Sequence, residues 1–279
     1  MRKIVALDIG GNNTRVALVN EKYEIESVVI NPTVPGNVEL FLANVKKSID
    51  EAIKDWKDVV AIATGVPGRV RYDGFIYALP NIHIENIPLA DYLSKAFHVP
   101  TFVINDAEVA ALAEANVGPF KKYQSVYFVT ISTGVGGALC VNGKLRNSSY
   151  EVGHTMTEYH GEVHEFEHMA SGVGMRRLCD MNGLQVASSK EFFELVKNGH
   201  PQALAVYRDW IKIVAEWFEM NWRNFQPDVF TLTGGVMKSS DIFFLDLKKA
   251  APDCHLEPCS FGQEAGLIGA AVLGFQSVK

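Results

Sequence analysis

Two parts of the chain open with the same pattern of a short apolar strand, a glycine-rich turn and a second strand. The first turn is Gly10–Asn13, and the second is Ser132–Gly137, with its return strand predicted at 138–142. Glycines in such turns let backbone N–H groups approach a bulky anion, and asparagine side chains add donors. Either turn alone is also typical of a plain hairpin. Because the pattern occurs twice, it favours two domains whose turns hold one polyphosphate from both sides.

Helix and strand patterns alternate after the first turn. A strand at 26–30 would complete a meander, an amphipathic helix pattern covers 38–56, and a buried strand follows at 59–64. The apolar residues of the helix recur with the period expected for one buried face. This order predicts an α/β domain with a mixed sheet. Gly118-Pro119 is typical of a link between domains, and the strand pattern restarts after it.

Composition excludes several classes of function. With 279 residues, 48% hydrophobic and 21% charged, the chain is typical of a globular protein of one or two domains. The net charge is −6 and no basic run occurs, so we expect no nucleic-acid ligand. Four cysteines without a CxxC pattern are typical of reduced thiols in a cytoplasmic protein. We expect no signal peptide and no membrane association, because no long apolar span is free of glycine and polar breaks.

A strand-to-helix junction carries the best candidate for a catalytic group. The apolar run 101–104 ends in Asn105-Asp106, and an alanine-rich helix pattern follows at once. A carboxylate there lies at the mouth of a sheet, where a substrate can reach it while the sheet holds it still. This position suits Asp106 as a general base. The alternative interpretation is that Asp106 only caps the helix.

Residues 146–170 show no regular pattern and are crowded with acidic residues and histidines. Three of the histidines recur at every fourth residue: His160, His164 and His168. On a helix they would share one face and could bind a metal. Gly161 weakens a helix at this point, and acidic, histidine-rich loops are often simply solvated. We therefore predict no metal site here.

Seven short motifs occur in the order found in one known family. They are Asp8-Ile-Gly-Gly-Asn-Asn-Thr14, Gly65-Val-Pro-Gly68, Asn105-Asp-Ala107, Ser132-Thr-Gly-Val-Gly-Gly137, Glu151-Val-Gly-His154, Leu232-Thr-Gly-Gly-Val236 and Glu264-Ala-Gly-Leu-Ile-Gly-Ala270. No single motif is specific, but together they resemble the ROK family (repressors, open reading frames, kinases) over residues 4–273. The resemblance implies an α/β fold of two actin-like ATPase (ribonuclease H-like) domains around a central cleft. It also implies a small domain, 1–117, completed by the C-terminal helix 263–279, and a larger domain, 118–262. We further expect a homodimer.

The resemblance implies a role for each matching position. Asp106 resembles the family's catalytic base, which accepts the proton of a sugar hydroxyl as a phosphoryl group arrives from ATP. The sugar hydroxyls would be held by Asn105, Glu151, His154, Glu167 and, on weaker matches, Gly68 and Asn81. The phosphates of ATP would lie against Gly10, Gly11, Asn12, Asn13, Thr133 and Gly134, and its adenosine against Gly234 and Gly235. Mg²⁺ would neutralise the polyphosphate and take few protein ligands.

The chain departs from the family pattern in one large respect. Many members carry a cysteine-rich zinc segment between the Gly-His pair and the later glutamate, whereas 154–167 is short and lacks cysteine. Two accounts of how this segment is held remain open. In one, a nearby histidine binds a metal together with His154; in the other, Tyr159 and Phe166 anchor the segment by packing and the histidines lie in solvent. We favour packing. Two smaller departures are Asn12 in place of threonine and Ser132 in place of glycine.

The function that these patterns indicate is ATP-dependent sugar phosphorylation. The resemblance implies transfer of the γ-phosphate to a hydroxyl, O6, of a hexose or N-acetylhexosamine such as glucose or N-acetylmannosamine. One alternative is a sugar-binding protein that has lost catalysis. Another is a sugar-responsive transcriptional regulator, which is disfavoured because no helix-turn-helix pattern precedes the first motif and the chain is acidic.

Overall fold

The computed structural model describes residues 1–146 and 151–278. They form two compact units. Unit 1 comprises residues 1–122, 140–146 and 260–278, and unit 2 comprises residues 123–139 and 151–259. None of the described helices is both long enough and apolar enough to cross a lipid bilayer.

The described chain alternates strands and helices throughout. The strands are β1 (Lys3–Ile9), β2 (Asn13–Asn20), β3 (Ile25–Pro32), β4 (Val59–Val66), β5 (Arg69–Val70), β6 (Ile76–Leu79), β7 (Ile84–Ile87), β8 (Thr101–Asn105), β9 (Ser125–Ile131), β10 (Val135–Val141), β11 (Lys144–Leu145), β12 (Met156–Tyr159), β13 (Glu162–Glu165), β14 (Val229–Thr233) and β15 (Leu256–Pro258). The helices are α1 (Val38–Ala52), α2 (Leu89–Phe97), α3 (Asp106–Asn116), α4 (Glu167–Ala170), α5 (Gly172–Met181), α6 (Ser189–Lys197), α7 (Pro201–Phe225), α8 (Ser240–Ala250) and α9 (Ala265–Ser277).

Five strands of unit 1 form a mixed sheet in the order β3-β2-β1-β4-β8. The first three strands are an antiparallel meander, whereas β4 is parallel to both β1 and β8. In register, Asp8 lies opposite Gly65, and Gly65 lies opposite Ile104. The carboxyl ends of β1, β4 and β8 therefore meet at one edge of the sheet, which is where ligands bind in open α/β sheets.

Both faces of this sheet are buried, which explains the continuous apolar run at the start of the chain. Val5, Leu7 and Ile9 pack in one core with residues of α1 and α2. Ile4 and Ala6 point to the other face and pack in a second core with Val109 of α3 and residues of α9. The C-terminal helix thus completes the core of unit 1.

The second five-stranded sheet has the same order of neighbours, β11-β10-β9-β14-β15. As in the first sheet, three successive strands are followed by two later ones, and β14 is parallel to both β9 and β15. Its core contains α5 to α8, with Phe193, Trp210 and Phe243 in mutual ring contact. The predicted α/β class and the predicted duplication of design are confirmed.

Three expectations about individual elements were wrong. The first helix ends at Ala52 rather than at residue 56, and the return strand of the second turn begins at Val135 rather than at 138. Residues 156–165 are not irregular, because β12 and β13 pair as an antiparallel hairpin. His160 and Gly161 form its turn with φ of 52° and 82°, so the three histidines do not share a helix face. Two successive residues with positive φ are incompatible with an α-helix at this point.

Candidate active site

The edge of the first sheet holds the predicted base next to a glycine turn. Asp106 is the first residue of α3 and its side chain is exposed. A β-carbon at Gly65 would lie 2.9 Å from Val109 Cγ2 and 3.1 Å from Asp106 Cα. Only glycine therefore lets the end of β4 approach the start of α3 this closely. The backbone at Gly65 is therefore in direct contact with the first turn of α3, which carries the predicted base.

The helix cap is Asn105, not Asp106. The Asn105 side-chain oxygen accepts from the Ala107 N–H at 2.9 Å, and with Glu108 it forms a reciprocal capping box. The Asn105 amide donates to the Gly68 carbonyl oxygen at 3.3 Å. Asp106 Oδ1 also accepts from the Ala107 N–H, at 2.9 Å. Because Asn105 supplies the cap, helix capping does not account for the carboxylate of Asp106.

The first glycine-rich turn lies at the carboxyl end of β1. Gly10 N–H donates to the Asn13 carbonyl at 2.9 Å, and the Thr33 hydroxyl donates to the Gly10 carbonyl at 2.9 Å. A β-carbon at Gly11 would lie 3.2 Å from Asn81 Cβ. Asn12 and Asn13 are exposed. The turn is thus held by the Thr33 hydroxyl, while Asn12 and Asn13 are exposed to solvent.

Sequence reasoning missed Asp8, although it begins the first motif. Burial raises the pKa of this carboxyl, and Arg15, 3.6 Å away, opposes the rise. A β-carbon at Gly266 of α9 would lie 2.7 Å from Asp8 Cγ. A carboxylate kept half-buried beside an anion-binding turn is a ligand type that Mg²⁺ prefers. The signal available in the sequence was an acidic residue inside an otherwise apolar strand.

The second glycine-rich turn, in unit 2, is tied to Glu167. Glu167 Oε2 accepts from the Val135 N–H at 3.2 Å. A β-carbon would lie 2.8 Å from this carboxylate at Gly134 and 3.0 Å from it at Gly153. Thr133 is exposed at the tip of the turn. Glu167 thus contacts both the predicted phosphate turn and the predicted sugar-binding turn. At Gly153 a β-carbon would also lie 2.6 Å from the Val135 carbonyl oxygen, so the backbone there requires glycine.

The predicted adenosine residues lie at the same sheet edge as this turn. β14 runs parallel to β9 with Thr233 opposite Thr130, so the residues that follow both strands emerge together. A β-carbon at Gly234, whose φ is 105°, would lie 2.2 Å from the Ile131 carbonyl oxygen. Gly235 is exposed and has open space at its Cα. Backbone contact explains the first glycine, and open space at the second suits a flat ligand.

The β12–β13 hairpin brings His154 close to two glutamates. Glu151 is exposed, and its carbonyl accepts from the His154 N–H at 3.1 Å. His154 Nδ1 lies 3.0 Å from Glu165 Oε2. One ligand atom each from His154, Glu165 and Glu167 lie within 4.8 Å of one another, so these three could hold a cation. This set differs from the histidines that their spacing had suggested.

The histidines of the hairpin are not all solvated, which corrects part of the packing account. His160 and His168 are exposed, but the His164 side chain is only 9% exposed. Tyr159 and Phe166 are both buried, as the packing account requires. Each unit therefore gathers its own share of the predicted site. Unit 1 holds Gly10, Gly11, Asn12, Asn13, Gly68, Asn81, Asn105 and Asp106, and unit 2 holds Thr133, Gly134, Glu151, His154, Glu167, Gly234 and Gly235.

Comparison with known proteins decides the family. The sequence matches the profile of the ROK family over residues 4–277. The chain belongs to the ROK family. Its order of motifs and its two sheets of matching strand order are therefore those of a ROK protein, and the resemblance inferred from the seven motifs is confirmed.

Two sugar kinases and one solved ROK hexokinase match this chain over nearly its whole length. A glucokinase from Halalkalibacterium halodurans is 26% identical over 98% of this chain and 94% of its own. An N-acetylmannosamine kinase from Salmonella newport is 28% identical over 96% of this chain and 97% of its own. The solved ROK hexokinase of Thermus thermophilus superposes with a TM-score of 0.88 at 26% identity, covering 98% of both chains. The actin-like ATPase fold predicted for the family is confirmed.

Proposed function

We propose that this ROK protein is an ATP-dependent sugar kinase that phosphorylates O6 of a hexose or N-acetylhexosamine. The observation that carries the proposal is the exposed Asp106 carboxylate at the joined ends of β4 and β8, where Asn105 already caps α3. The named relatives, a glucokinase and an N-acetylmannosamine kinase, support glucose and N-acetylmannosamine as the first sugars to test.

The proposed reaction needs positioning and charge neutralisation more than covalent chemistry. The sugar hydroxyl gives its proton to Asp106 while its oxygen forms a bond to the γ-phosphorus of ATP. The bond from that phosphorus to the oxygen leaving with ADP breaks, and the electron pair stays on ADP. A base in this position contributes about 10²–10⁴-fold to the rate.

The two glycine-rich turns are proposed to hold ATP. Gly10–Asn13 presents the exposed Asn12 and Asn13, and the second turn presents the exposed Thr133 in unit 2. Gly234-Gly235 would carry the adenosine. Bound Mg²⁺ would neutralise part of the phosphate charge. Asp8 fits such an ion, because burial has already raised its pKa and a cation would stabilise its charged form.

The sugar is proposed to be held by several fixed acceptors. Glu151, His154 and Glu167 of unit 2 would accept hydrogen bonds from sugar hydroxyls, and Asn105, Gly68 and Asn81 of unit 1 would contribute further contacts. A polyol suits such a set because each buried hydroxyl must find a partner.

A panel assay tests the proposal. Purified protein, ATP and Mg²⁺ are incubated with glucose, mannose, N-acetylglucosamine and N-acetylmannosamine, and ADP release is followed. Phosphorus NMR of the product then identifies the oxygen that carries the phosphate. We expect one sugar to be phosphorylated at O6. Sugar binding without ADP release would instead support a sugar-binding protein that has lost catalysis.

Three expectations stay predictions. The domain boundaries, 1–117 with 263–279 and 118–262, can be checked by limited proteolysis. The homodimer can be checked by light scattering on the eluting protein. The cytoplasmic location can be checked by fractionation of cells that express the chain.

A further inference from the structure

The β12–β13 hairpin joins the two ends of the segment that replaces the family's zinc region. Phe166 N–H donates to the Thr155 carbonyl at 2.7 Å, so His154 lies directly before the hairpin and Glu167 directly after it. Trp217 fastens this closure, because its indole N–H donates to the Thr155 hydroxyl at 2.8 Å and its ring stacks on Phe166 at 4.7 Å. Backbone pairing and a buried stack therefore bring these two predicted sugar ligands together.

Glu165 contacts the imidazole of His154 from within this hairpin. Glu165 Oε2 lies 3.0 Å from His154 Nδ1. An ionised carboxylate can only accept hydrogen bonds, so Nδ1 carries the proton. In the neutral ring Nε2 is then left as an acceptor. The hydrogen bond at Nδ1 thus determines whether Nε2 is a hydrogen-bond donor or an acceptor.

Resting on the proposed function, we infer that Glu165 is a positioning residue for sugar binding. It holds the His154 ring in one orientation and one tautomer, so that Nε2 accepts a hydrogen bond from a sugar hydroxyl. Carboxylates orient histidines in the same manner around metal sites.

The groups around Glu165 define the interaction and its control. His168 of α4 also faces the carboxylate, with Nε2 3.5 Å from Glu165 Oε2, and a carboxylate oxygen of Glu167 lies within 4.8 Å of one of Glu165. Glu162 lies on the same strand but pairs with Tyr159, whereas Glu165 pairs with Met156. Because side chains alternate along a strand, these two glutamates point to opposite faces. Glu162 is 75% exposed and serves as the matched control.

The test combines spectroscopy with kinetics. Histidines are labelled with ¹⁵N, His154 is assigned by comparison with His154→Ala, and long-range ¹H–¹⁵N spectra report which ring nitrogen carries the proton. The same spectra are recorded for Glu165→Ala, Glu165→Gln and Glu162→Ala. Sugar KM and kcat are measured on the wild type and on these three variants, with the sugar identified in the panel. The zinc content of each protein is measured in parallel.

We expect wild-type His154 to be protonated at Nδ1 and Glu165→Ala to lose this preference. The sugar KM should rise about tenfold in Glu165→Ala, which is the scale of one lost charge-assisted hydrogen bond. The kcat should change less than KM. Glu165→Gln keeps an acceptor oxygen and should lie between the wild type and Glu165→Ala, and Glu162→Ala should match the wild type.

Several results would overturn the inference. If the His154 tautomer is unchanged in Glu165→Ala, Glu165 does not set that tautomer. If the tautomer changes but the sugar KM does not, Glu165 has no role in sugar binding. One zinc per chain that is lost with Glu165→Ala would make Glu165 a metal ligand instead. If the wild type phosphorylates no sugar, the proposed function fails, and the tautomer spectra still decide by themselves whether Glu165 orients His154.

Discussion

The Asn105-Asp106 junction and the segment 151–167 hold their functional side chains by different means. At the junction, the helix cap lies within two residues of the base, and the backbone of β4 adds strand register and the close approach of Gly65. In the segment, a hairpin joins residues 11 apart in sequence, and Trp217 of a distant helix fastens it. The junction is held by backbone packing and a helix cap, whereas the segment depends on a hydrophobic core.

This difference predicts different consequences of mutation. A side chain at the junction can be changed without exposing the core, so its loss should affect chemistry alone. A core residue beneath the segment supports both the fold and the ligands, so its loss should reduce stability and sugar affinity together. Four substitutions test this contrast, from the largest expected effect to the smallest.

Asp106→Asn removes the proposed base and keeps its shape. Because the cap belongs to Asn105, we expect the unfolding free energy to stay near that of the wild type while kcat falls about 10²–10⁴-fold. Steady-state kinetics and thermal unfolding measure the two effects. Asp241→Asn, in the first turn of α8, is the matched control and should change neither. A variant retaining most of its kcat would rule out Asp106 as the base.

Phe166→Ala removes the ring that stacks on Trp217 beneath the hairpin. Phe166 is fully buried, so we expect a loss of about 3–5 kcal/mol of unfolding free energy. Sugar KM should rise as well, because Phe166 lies between Glu165 and Glu167. Denaturant unfolding and kinetics measure this pair of effects. Phe225→Ala, with 42% of its side chain exposed, should cost much less. A destabilised protein with normal sugar KM would break the proposed coupling.

Gly65→Ala inserts a methyl group between β4 and α3. The new carbon would meet Val109 and the backbone of Asp106, so we expect a cost of about 1–3 kcal/mol in stability. The kcat should fall because Asp106 is displaced. Gly262→Ala is the control, since nothing lies within 4 Å of a β-carbon there. Normal kcat in Gly65→Ala would show that the base does not need this close approach.

Asp8→Asn should have the smallest effect of the four on the free energy of unfolding, and that effect should be a gain at neutral pH. Burial raises the folded-state pKa of Asp8 above its unfolded value, so the stability gained from binding its proton is complete at acid pH. That stability is lost as pH rises through the folded pKa. The asparagine variant should therefore be slightly more stable at neutral pH, by about 0.5 kcal/mol. Unfolding curves at neutral and acid pH measure this. Equal or lower stability at neutral pH would contradict the cost of burial.

The two regions also differ in how well the sequence predicts them. The strand 101–105 and helix 106–116 follow from a local change of pattern, and the junction between them was placed correctly. What the pattern could not show is which residue caps the helix, because Asn105 and Asp106 are both good caps. The reciprocal capping box between Asn105 and Glu108 settles that choice.

The hairpin could not be predicted because its strands carry little alternating hydrophobicity. Met156 and Val163 are exposed, while the polar His164 side chain is only 9% exposed, so the usual pattern of one apolar face is absent. The hairpin forms instead because Tyr159 packs in the core of unit 2 and the Trp217 indole N–H donates to the Thr155 hydroxyl. Contacts this far apart in sequence leave no local pattern. The motifs that identified His154 and Glu167 therefore did not predict their neighbour Glu165.

The central claim is that Asp106 performs the chemistry while His154 and its neighbours in segment 151–167 bind the sugar. The most direct test is calorimetric titration of the unmodified sugar, the substrate identified in the panel, into Asp106→Asn and His154→Ala. The account predicts that Asp106→Asn binds the sugar with the Kd of the wild type although it no longer turns over, and that His154→Ala binds it more weakly. Loss of sugar binding in Asp106→Asn, with normal binding in His154→Ala, would contradict it.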